Sequence, residues 1–262
     1  MTKNTSIAKI DTFRTALEKA RDRLAEVAPQ YLSVDRLIRI MLSGMSRNPK
    51  LMECDSNSVL QFCMRCAETG LEPIGAGGAW PIPFENKKAG VTEMQFIPDY
   101  RGLVNCAKHA GCITHAVANV VHEADEFRYT LGLNPTLTHA PATGDRGERI
   151  AAYCVYTLPN GDKDFVVMDG DEIEGIRNRS RAAQVGPWKS DTGEMWKKTV
   201  IRRAMKPFAG ANVRLDAAVS AFDEVDGLAD AKTDPVSMPK PIDADVEVSE
   251  PRGQGEQLPL DD

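Results

Sequence analysis

The sequence contains no apolar run that approaches the roughly 18 residues needed to cross a bilayer. Its first residues, MTKNTSIAKIDTF, lack the apolar core of a secretory signal. We therefore expect a cytoplasmic protein, in which the six cysteines stay reduced. Hydrophobic residues make up 42% of the chain, which is enough for a globular protein that buries its own core.

The sequence also lacks any Gly-Lys dipeptide, and with it any GxxxxGK[ST] phosphate-binding loop. Gly75, Gly77 and Gly78 in IGAGGAW supply flexible turns, but no lysine follows them at the required spacing. This absence argues against an ATPase of the P-loop type. We expect no cofactor.

The formal net charge of -6 hides an uneven distribution of charge along the chain. Residues 223–262 contain twelve acidic and three basic side chains, a balance of -9, whereas residues 1–222 have a balance of +3. Residues 176–206 alone contain nine basic and two acidic side chains. A mildly basic body with one strongly basic region predicts a polyanionic partner.

The order of the predicted elements (helices, then strands, then helices) indicates an α+β fold, with an antiparallel sheet and packed helices in a single core domain. Apolar spacing predicts the N-terminal helices, with Ser33 as an N-cap and Gly70 as a terminator. Helices are predicted at residues 7–27, 33–45, 56–70, 100–111, 169–179, 191–206 and 212–222. Strands are predicted at residues 79–85, 92–98, 113–123, 126–132, 149–158 and 163–169.

The C-terminal segment differs in composition from the rest of the chain. Residues 228–262 contain five prolines, many acidic side chains and no aromatic residue. Such a segment does not bury enough apolar surface to offset the entropy of ordering it. We therefore expect a disordered acidic C-terminal tail.

The segment EMWKKTVIRRAMKPF carries five cationic side chains in ten residues. At about 100° per residue, its apolar side chains fall on one arc of a helix and most of its cations on the opposite arc. The helix is therefore predicted to anchor itself by one face and to present charge on the other. The apolar arc holds Trp196, Val200, Ile201 and Ala204, the cationic arc holds Lys198, Arg202, Arg203 and Lys206, and Lys197 lies among the apolar positions.

A solvated helix face is the alternative explanation for this pattern. Two features favour a nucleic-acid contact. Apart from Glu194, four residues before Lys198, the cationic arc has no acidic partner at helical spacing. A second cluster lies just upstream, and cations interleaved with an aromatic ring suit a single nucleic-acid strand. This arginine cluster consists of Arg177, Arg179, Arg181 and Trp188.

Two cysteine-containing groups have the side chains of zinc ligands. C-x2-H-x2-C-x2-H runs from Cys106 to His115, and C-x2-C joins Cys63 to Cys66. Structural zinc sites usually separate their ligand pairs by a longer loop. We interpret these residues as small buried cysteines with two surface histidines.

Acidic groups suggest a metal-dependent nuclease as another alternative. Glu123, Asp125 and Glu126 form one such group, and the acidic residues at 162–172 form a second. Strand-end, turn and helix-capping roles account for both groups more simply.

Five segments of the sequence resemble, in the same order, the RecT family of phage and prophage single-stranded DNA annealing proteins, recombinases related to Redβ. The DYRGL block at residues 99–103 and the block from Gly186 to Arg203 are the most distinctive. The segments span roughly residues 31–210. They are SVDRLIRIMLSGMSRNPKLMECD, TGLEPIGAGGAWPIPFENK, MQFIPDYRGLVNCAKHAG, VVHEADEFRYTLGLNPTLTH and GPWKSDTGEMWKKTVIRRAMK.

The resemblance implies a protein that coats single-stranded DNA as a homo-oligomer, a ring or a helical filament, and anneals complementary strands without ATP. It implies no covalent chemistry, so we expect no enzymatic activity in the strict sense. The implied partners are single-stranded DNA, the annealed duplex, a cognate exonuclease and the single-strand binding protein of the bacterial host, with no membrane involved. A passive single-stranded DNA-binding protein would share the charge pattern without speeding strand pairing.

The resemblance also divides the chain and assigns DNA contacts. Residues 31–222 are expected to be a RecT-type annealing core and residues 223–262 the acidic tail. Residues 1–30 are expected to be a helical segment, whose apolar positions fit either oligomer contacts or packing into the core. Tyr100 and Arg101 match the YRG motif of the family, and Lys197, Lys198, Arg202 and Arg203 match its KK…RR helix. The predicted DNA contacts are Tyr100, Arg101, Arg177, Arg179, Arg181, Trp188, Lys197, Lys198, Arg202, Arg203 and Lys206.

Overall fold

The elements of the protein, seen in a computed structural model, form an α+β fold, as predicted. The structure describes residues 3–87, 89–180, 183 and 187–225. The helices are α1 (Lys3–Lys19), α2 (Arg21–Val27), α3 (Val34–Arg47), α4 (Ser56–Thr69), α5 (Tyr100–His109), α6 (Gly170–Arg179), α7 (Pro187–Ser190), α8 (Thr192–Met205) and α9 (Val213–Val225). The strands are β1 (Ala79–Asn86), β2 (Val91–Pro98), β3 (His115–His122), β4 (Glu126–Thr130), β5 (Thr136–Ala140), β6 (Arg149–Thr157) and β7 (Lys163–Asp169). Short 3₁₀ helices lie at Pro49–Glu53 and Lys206–Ala211.

Local capping interactions set the ends of the N-terminal helices. The Ser33 hydroxyl accepts a hydrogen bond from the backbone N–H of Arg36 at the start of α3, and Gly70 ends α4 with a φ of +73°. The helix predicted over residues 7–27 is divided at Ala20 into α1 and α2. No glycine or proline marks this break, so the sequence does not signal it. Across the described residues, no helix combines the length and apolar character that a membrane span requires.

The strands form small antiparallel sheets instead of one sheet. Strands β3, β6 and β7 make a three-stranded sheet with β6 in the centre, and two further pairs are the hairpins β1-β2 and β4-β5. In the central sheet Tyr153 of β6 lies opposite Asn119 of β3. Strand β5 is not predicted from the sequence, because TLTHA contains only Leu137 as a large apolar residue.

Helix α8 lies in the middle of the hydrophobic core. It packs against the sheet β3-β6-β7 and against α5 and α9. Val200, Ala204 and Met205 of α8 are completely buried. The described residues belong to one compact unit, and the basic helix is therefore a core element with a limited exposed side.

The predicted acidic tail begins inside the fold. Asp223 and Glu224 belong to α9 and form ion pairs with Arg202 and Arg65, respectively. Residues 226–262, which make up the rest of the predicted tail, lie outside the described residues.

Candidate nucleic-acid interface

Helix α8 presents cations on one side because its other side is packed into the core. Trp196, Val200 and Ile201 are buried, which confirms the predicted apolar anchor. The anchor fixes the helix against the sheet, so the cations are carried on a rigid support. The accessible or half-buried cations of α8 and the residue after it are Lys197, Lys198, Arg203 and Lys206.

Arg202 is the exception among these cations. Its side chain is 9% exposed, and its Nη1 lies 3.4 Å from Oδ1 of Asp223 in α9. The prediction that Arg202 projects from a solvent-facing arc is therefore wrong, because α9 covers this part of α8. The spacing of residues within α8 does not predict the partner Asp223, because Asp223 belongs to another helix, α9.

Other cations of the predicted arc also have acidic neighbours from distant elements. Nη1 of Arg203 lies 3.6 Å from Oε1 of Glu172 in α6, and Nζ of Lys206 lies 3.6 Å from Oδ2 of Asp223. The lack of acidic partners at helical spacing therefore does not leave these cations unpaired, because carboxylates of α6 and α9 lie close to them. Both pairs have about half-exposed cations, and exposed pairs are weak and screened by salt, so a polyanion can displace them.

The difference between Arg202 and Arg203 leads to a stability prediction. Arg202→Ala should lower the free energy of unfolding by about 2 kcal/mol, because Asp223 loses its buried partner. Arg203→Ala should lower it by less than about 0.5 kcal/mol, because its ion pair is exposed. Urea unfolding of both variants measures the two losses, and equal losses would contradict the burial of Arg202.

The arginine cluster upstream of α8 is divided by the structure. Trp188 is 2% exposed, and the guanidinium carbon of Arg177 lies 5.9 Å from the centroid of its ring. The expectation that this ring is exposed for base stacking is wrong, because the indole is a core side chain beneath Arg177. Arg179 is exposed, with no ion pair to any residue that the structure describes, and Arg181 lies outside the described residues.

Glu194 joins the two motifs that the sequence analysis singled out. Its Oε1 accepts a hydrogen bond from Nζ of Lys197 at 2.8 Å, and its Oε2 accepts one from the Tyr100 hydroxyl at 3.0 Å. These contacts, with Lys197 first, lower the pKa of the Glu194 carboxyl. Lys198, the partner expected at four-residue spacing, instead has its Nζ 5.4 Å from the centroid of the Phe222 ring.

Arg101 extends this arrangement from the start of α5. Its Nε donates a hydrogen bond to the Tyr100 hydroxyl at 3.3 Å, and its side chain is exposed. The contact with Tyr100 raises the pKa of the Arg101 guanidinium, so the group stays charged. Three of the predicted contacts, Tyr100, Arg101 and Lys197, therefore lie side by side although they come from two helices.

A cleft of about 390 Å³ opens beside Glu194 and Lys197. Its walls come from β3, β5, β6, the first half of α8 and the connection between β5 and β6. Nε of Arg149 lies 3.8 Å from the point where a Cβ on Gly193 would stand, so this guanidinium faces the start of α8. Within the described part of the chain, Arg149 has no carboxylate partner. The cations of the cleft are Arg146, Arg149 and Lys197, and its polar walls include Asn119, His122 and Tyr153.

Asp125 holds Arg146 in the wall of the cleft. The Asp125 side chain is fully buried, and its oxygens accept hydrogen bonds from Nε of Arg146 at 2.8 Å and from the backbone N–H groups of His122 and Ala142. The Arg146 contact is the largest cause of a carboxyl pKa far below its ordinary value, and His139 contributes as well. Because the oxygens of Asp125 already accept these hydrogen bonds, the acidic residues 123–126 have a structural role here. Among the described residues, no group of acidic, cysteine or histidine side chains could hold a metal ion.

The cysteine–histidine groups belong to the core and its edge. Cys63 and Cys66 of α4 are fully buried, and Cys106 of α5 is 4% exposed. Burial raises the pKa of the Cys63 thiol to about 12. The His109 ring stacks on Tyr31 with centroids 4.0 Å apart. His109 and His115 are both exposed, as expected, and the buried cysteines agree with the interpretation, whereas Cys112 is only half-buried.

Arg146 and Arg149 are cleft residues that the sequence analysis does not find. In DRGER they alternate with Asp145 and Glu148, so the local net charge is close to zero. Only the pairing of β3 with β6 and the packing of α8 bring these arginines next to Lys197. Contact of any of these cations with DNA remains a prediction.

Comparisons with known proteins cover the whole of this region. A model of the RecT family matches residues 35–236, which include α5, the cleft and α8. Protein RecT of Escherichia coli (strain K12) is 34% identical in an alignment 249 residues long, which covers 87% of this chain and 92% of that protein. The chain therefore belongs to the RecT family.

Proposed function

We propose that this protein binds single-stranded DNA and anneals complementary strands without ATP, in homologous recombination of the phage type. Membership of the RecT family supports a general role in DNA recombination and strand annealing. The observation that carries the finer proposal is a cationic surface inside the family match, made by the accessible cations of α5, α8 and the cleft. We call this surface the cationic surface, and it comprises Arg101, Arg149 and Lys197. Arg203 and Lys206, farther along the chain, are proposed as separate phosphate contacts.

The cationic surface suits the sugar-phosphate backbone better than the bases. Arginines bind phosphate oxygens with a planar fork of donors, and lysine adds a point charge. Trp188, the ring predicted to stack on bases, is buried in the core. DNA bases therefore do not stack on that ring. A strand held by its phosphates keeps its Watson–Crick edges free for a complementary strand.

The energy for pairing comes from the DNA in this mechanism. Duplex stacking releases about 1.4 kcal/mol per base-pair step, so about a dozen matched steps exceed thermal energy many times over. The obstacle is repulsion between two polyanions, and neutralising phosphates with lysine and arginine lowers it. The protein therefore acts by removing a barrier and needs no nucleotide hydrolysis.

An annealing assay separates this proposal from its alternatives. Complementary oligonucleotides carrying a fluorophore and a quencher are mixed with the protein, without ATP, with and without magnesium. We expect faster pairing than in protein-free solution, and DNA of unchanged length. A passive single-stranded DNA-binding protein would bind without speeding pairing, and a nuclease would shorten the labelled strand when magnesium is added.

We also propose the partners and the division of labour that the family suggests. Residues 31–222 would anneal DNA, and residues 1–30 would contribute contacts to a homo-oligomer, a ring or a helical filament. Phe13, Leu17 and Leu24 are buried in the chain's own core, so such contacts would use the outward faces of α1 and α2. Native mass spectrometry with and without DNA tests assembly, and monomers alone would contradict it. A cognate exonuclease and host single-strand binding protein would supply and share the strand.

A further inference from the structure

The hydrogen-bond donors around Glu194 form an anion site. One carboxylate oxygen is held by the Lys197 ammonium at 2.8 Å and the other by the Tyr100 hydroxyl at 3.0 Å. The exposed Arg101 donates a hydrogen bond to this hydroxyl, with its Nε 3.3 Å from the Tyr100 oxygen. Two non-bridging oxygens of a phosphodiester group use the same kinds of donors, since ammonium and hydroxyl groups bind both anions.

The two carboxylates beside the cleft differ in how firmly they are held. Asp125 is fully buried and saturated by Arg146, His139 and backbone N–H groups. Glu194 is 48% exposed, and among the residues that the structure describes its side chain is held by one lysine and one tyrosine. An incoming phosphate therefore meets one fixed anion and one that is able to swing into solvent.

The charges around the cleft explain why an anion is present there without DNA. Arg149 faces the start of α8 and has no carboxylate partner among the residues that the structure describes. Lys197 contacts Glu194 directly, and Arg101 reaches it through the Tyr100 hydroxyl. Without Glu194 the positive charges of this region would be left without its carboxylate and would repel one another. A carboxylate among them stabilises the unbound protein.

We infer that Glu194 is a built-in counter-ion that occupies the place of a backbone phosphate and competes with single-stranded DNA for Lys197. The inference rests on the proposed function, because the competing ligand is DNA. Binding a strand then requires that the Glu194–Lys197 ion pair be broken. An ion pair with this exposure is worth a fraction of the energy of a buried pair, so the competition should reduce affinity by about two- to fivefold. The lower affinity allows a bound single strand to dissociate more readily.

Neutralising Glu194 provides the test. We expect Glu194→Gln to lower the Kd for a labelled oligo(dT) by about two- to fivefold at low salt. In a Lys197→Met background the same change should alter Kd by less than about 1.5-fold, because the ion pair is already absent. Equal gains in both backgrounds would mean that Glu194 merely repels DNA at a distance, and would overturn the inference. Glu194→Ala, a second variant without any polar side-chain atom, should repeat both results.

Asp11→Asn is the matched control. Asp11 forms an ion pair with Arg14 at 3.0 Å, three residues apart on α1, so the change removes the same charge from the same kind of pair. Its Kd should equal that of the wild type. If the wild-type protein neither binds oligo(dT) nor speeds annealing, the proposed function fails. If it does both but Glu194→Gln binds no tighter, only the competition by Glu194 is overturned.

Discussion

Replacing Arg149 and Lys197 together by alanine should weaken the binding of single-stranded DNA by about 25-fold at 0.1 M monovalent salt. For a single strand, each phosphate contact contributes about 0.7 to the slope of log K against log salt concentration. Loss of two contacts removes about 1.4 units of slope, which over the decade from 1 M to 0.1 M salt amounts to that factor. Fluorescence anisotropy across a salt series measures both the affinity and the slope.

Two cations of the N-terminal helices make a matched control for this double variant. Lys19 of α1 and Arg23 of α2 are exposed and lie outside the cleft. Replacing both by alanine changes the net charge by the same amount. The expected loss of affinity is less than about twofold, with an unchanged salt slope. A control loss as large as that of the cleft variant would mean that overall charge, and not this surface, governs binding.

Local signals explain which parts of the fold the sequence predicts. Ser33 and Gly70 are found because a cap or a left-handed turn depends on neighbouring residues only. The apolar face of α8 is found because periodicity records which side of a helix is buried. Tyr100 and Lys197 belong to two separate family motifs, and both contact Glu194. No local pattern in the sequence predicts that these two motifs meet.

Partners from distant elements explain what the sequence does not predict. Arg202 and Arg203 are identical and adjacent in sequence, and only the position of α9 makes one buried and the other exposed. Trp188 lies among arginines in the sequence, which suggests an exposed ring, but it packs into the core and is 2% exposed. Arg149 enters the cleft through strand pairing, which a single short segment cannot reveal.

The buried carboxylate of Asp125 should be the most sensitive position for the stability of the cleft. Asp125→Asn leaves Arg146 without its counter-charge and weakens the contact to His139 at 3.0 Å. Removing one partner of a buried pair is strongly destabilising, and for a domain of this size the melting temperature should fall by about 10 °C at pH 7. Differential scanning calorimetry measures the fall. Glu126→Gln is the matched control, since Glu126 is adjacent, 69% exposed and paired with an exposed arginine at 3.5 Å; it should leave the melting temperature almost unchanged.

The pH dependence of this difference has a defined sign. The pKa of Asp125 in the folded protein is far below the value of about 3.9 for an unperturbed aspartate. A lowered folded-state pKa contributes stability that is fully present above the unfolded value and is lost as the pH falls below it. The gap in melting temperature between wild type and Asp125→Asn should therefore be complete at pH 7 and shrink below about pH 4. A gap that stays constant into acid would mean that lost packing, and not the ion pair with Arg146, causes the destabilisation.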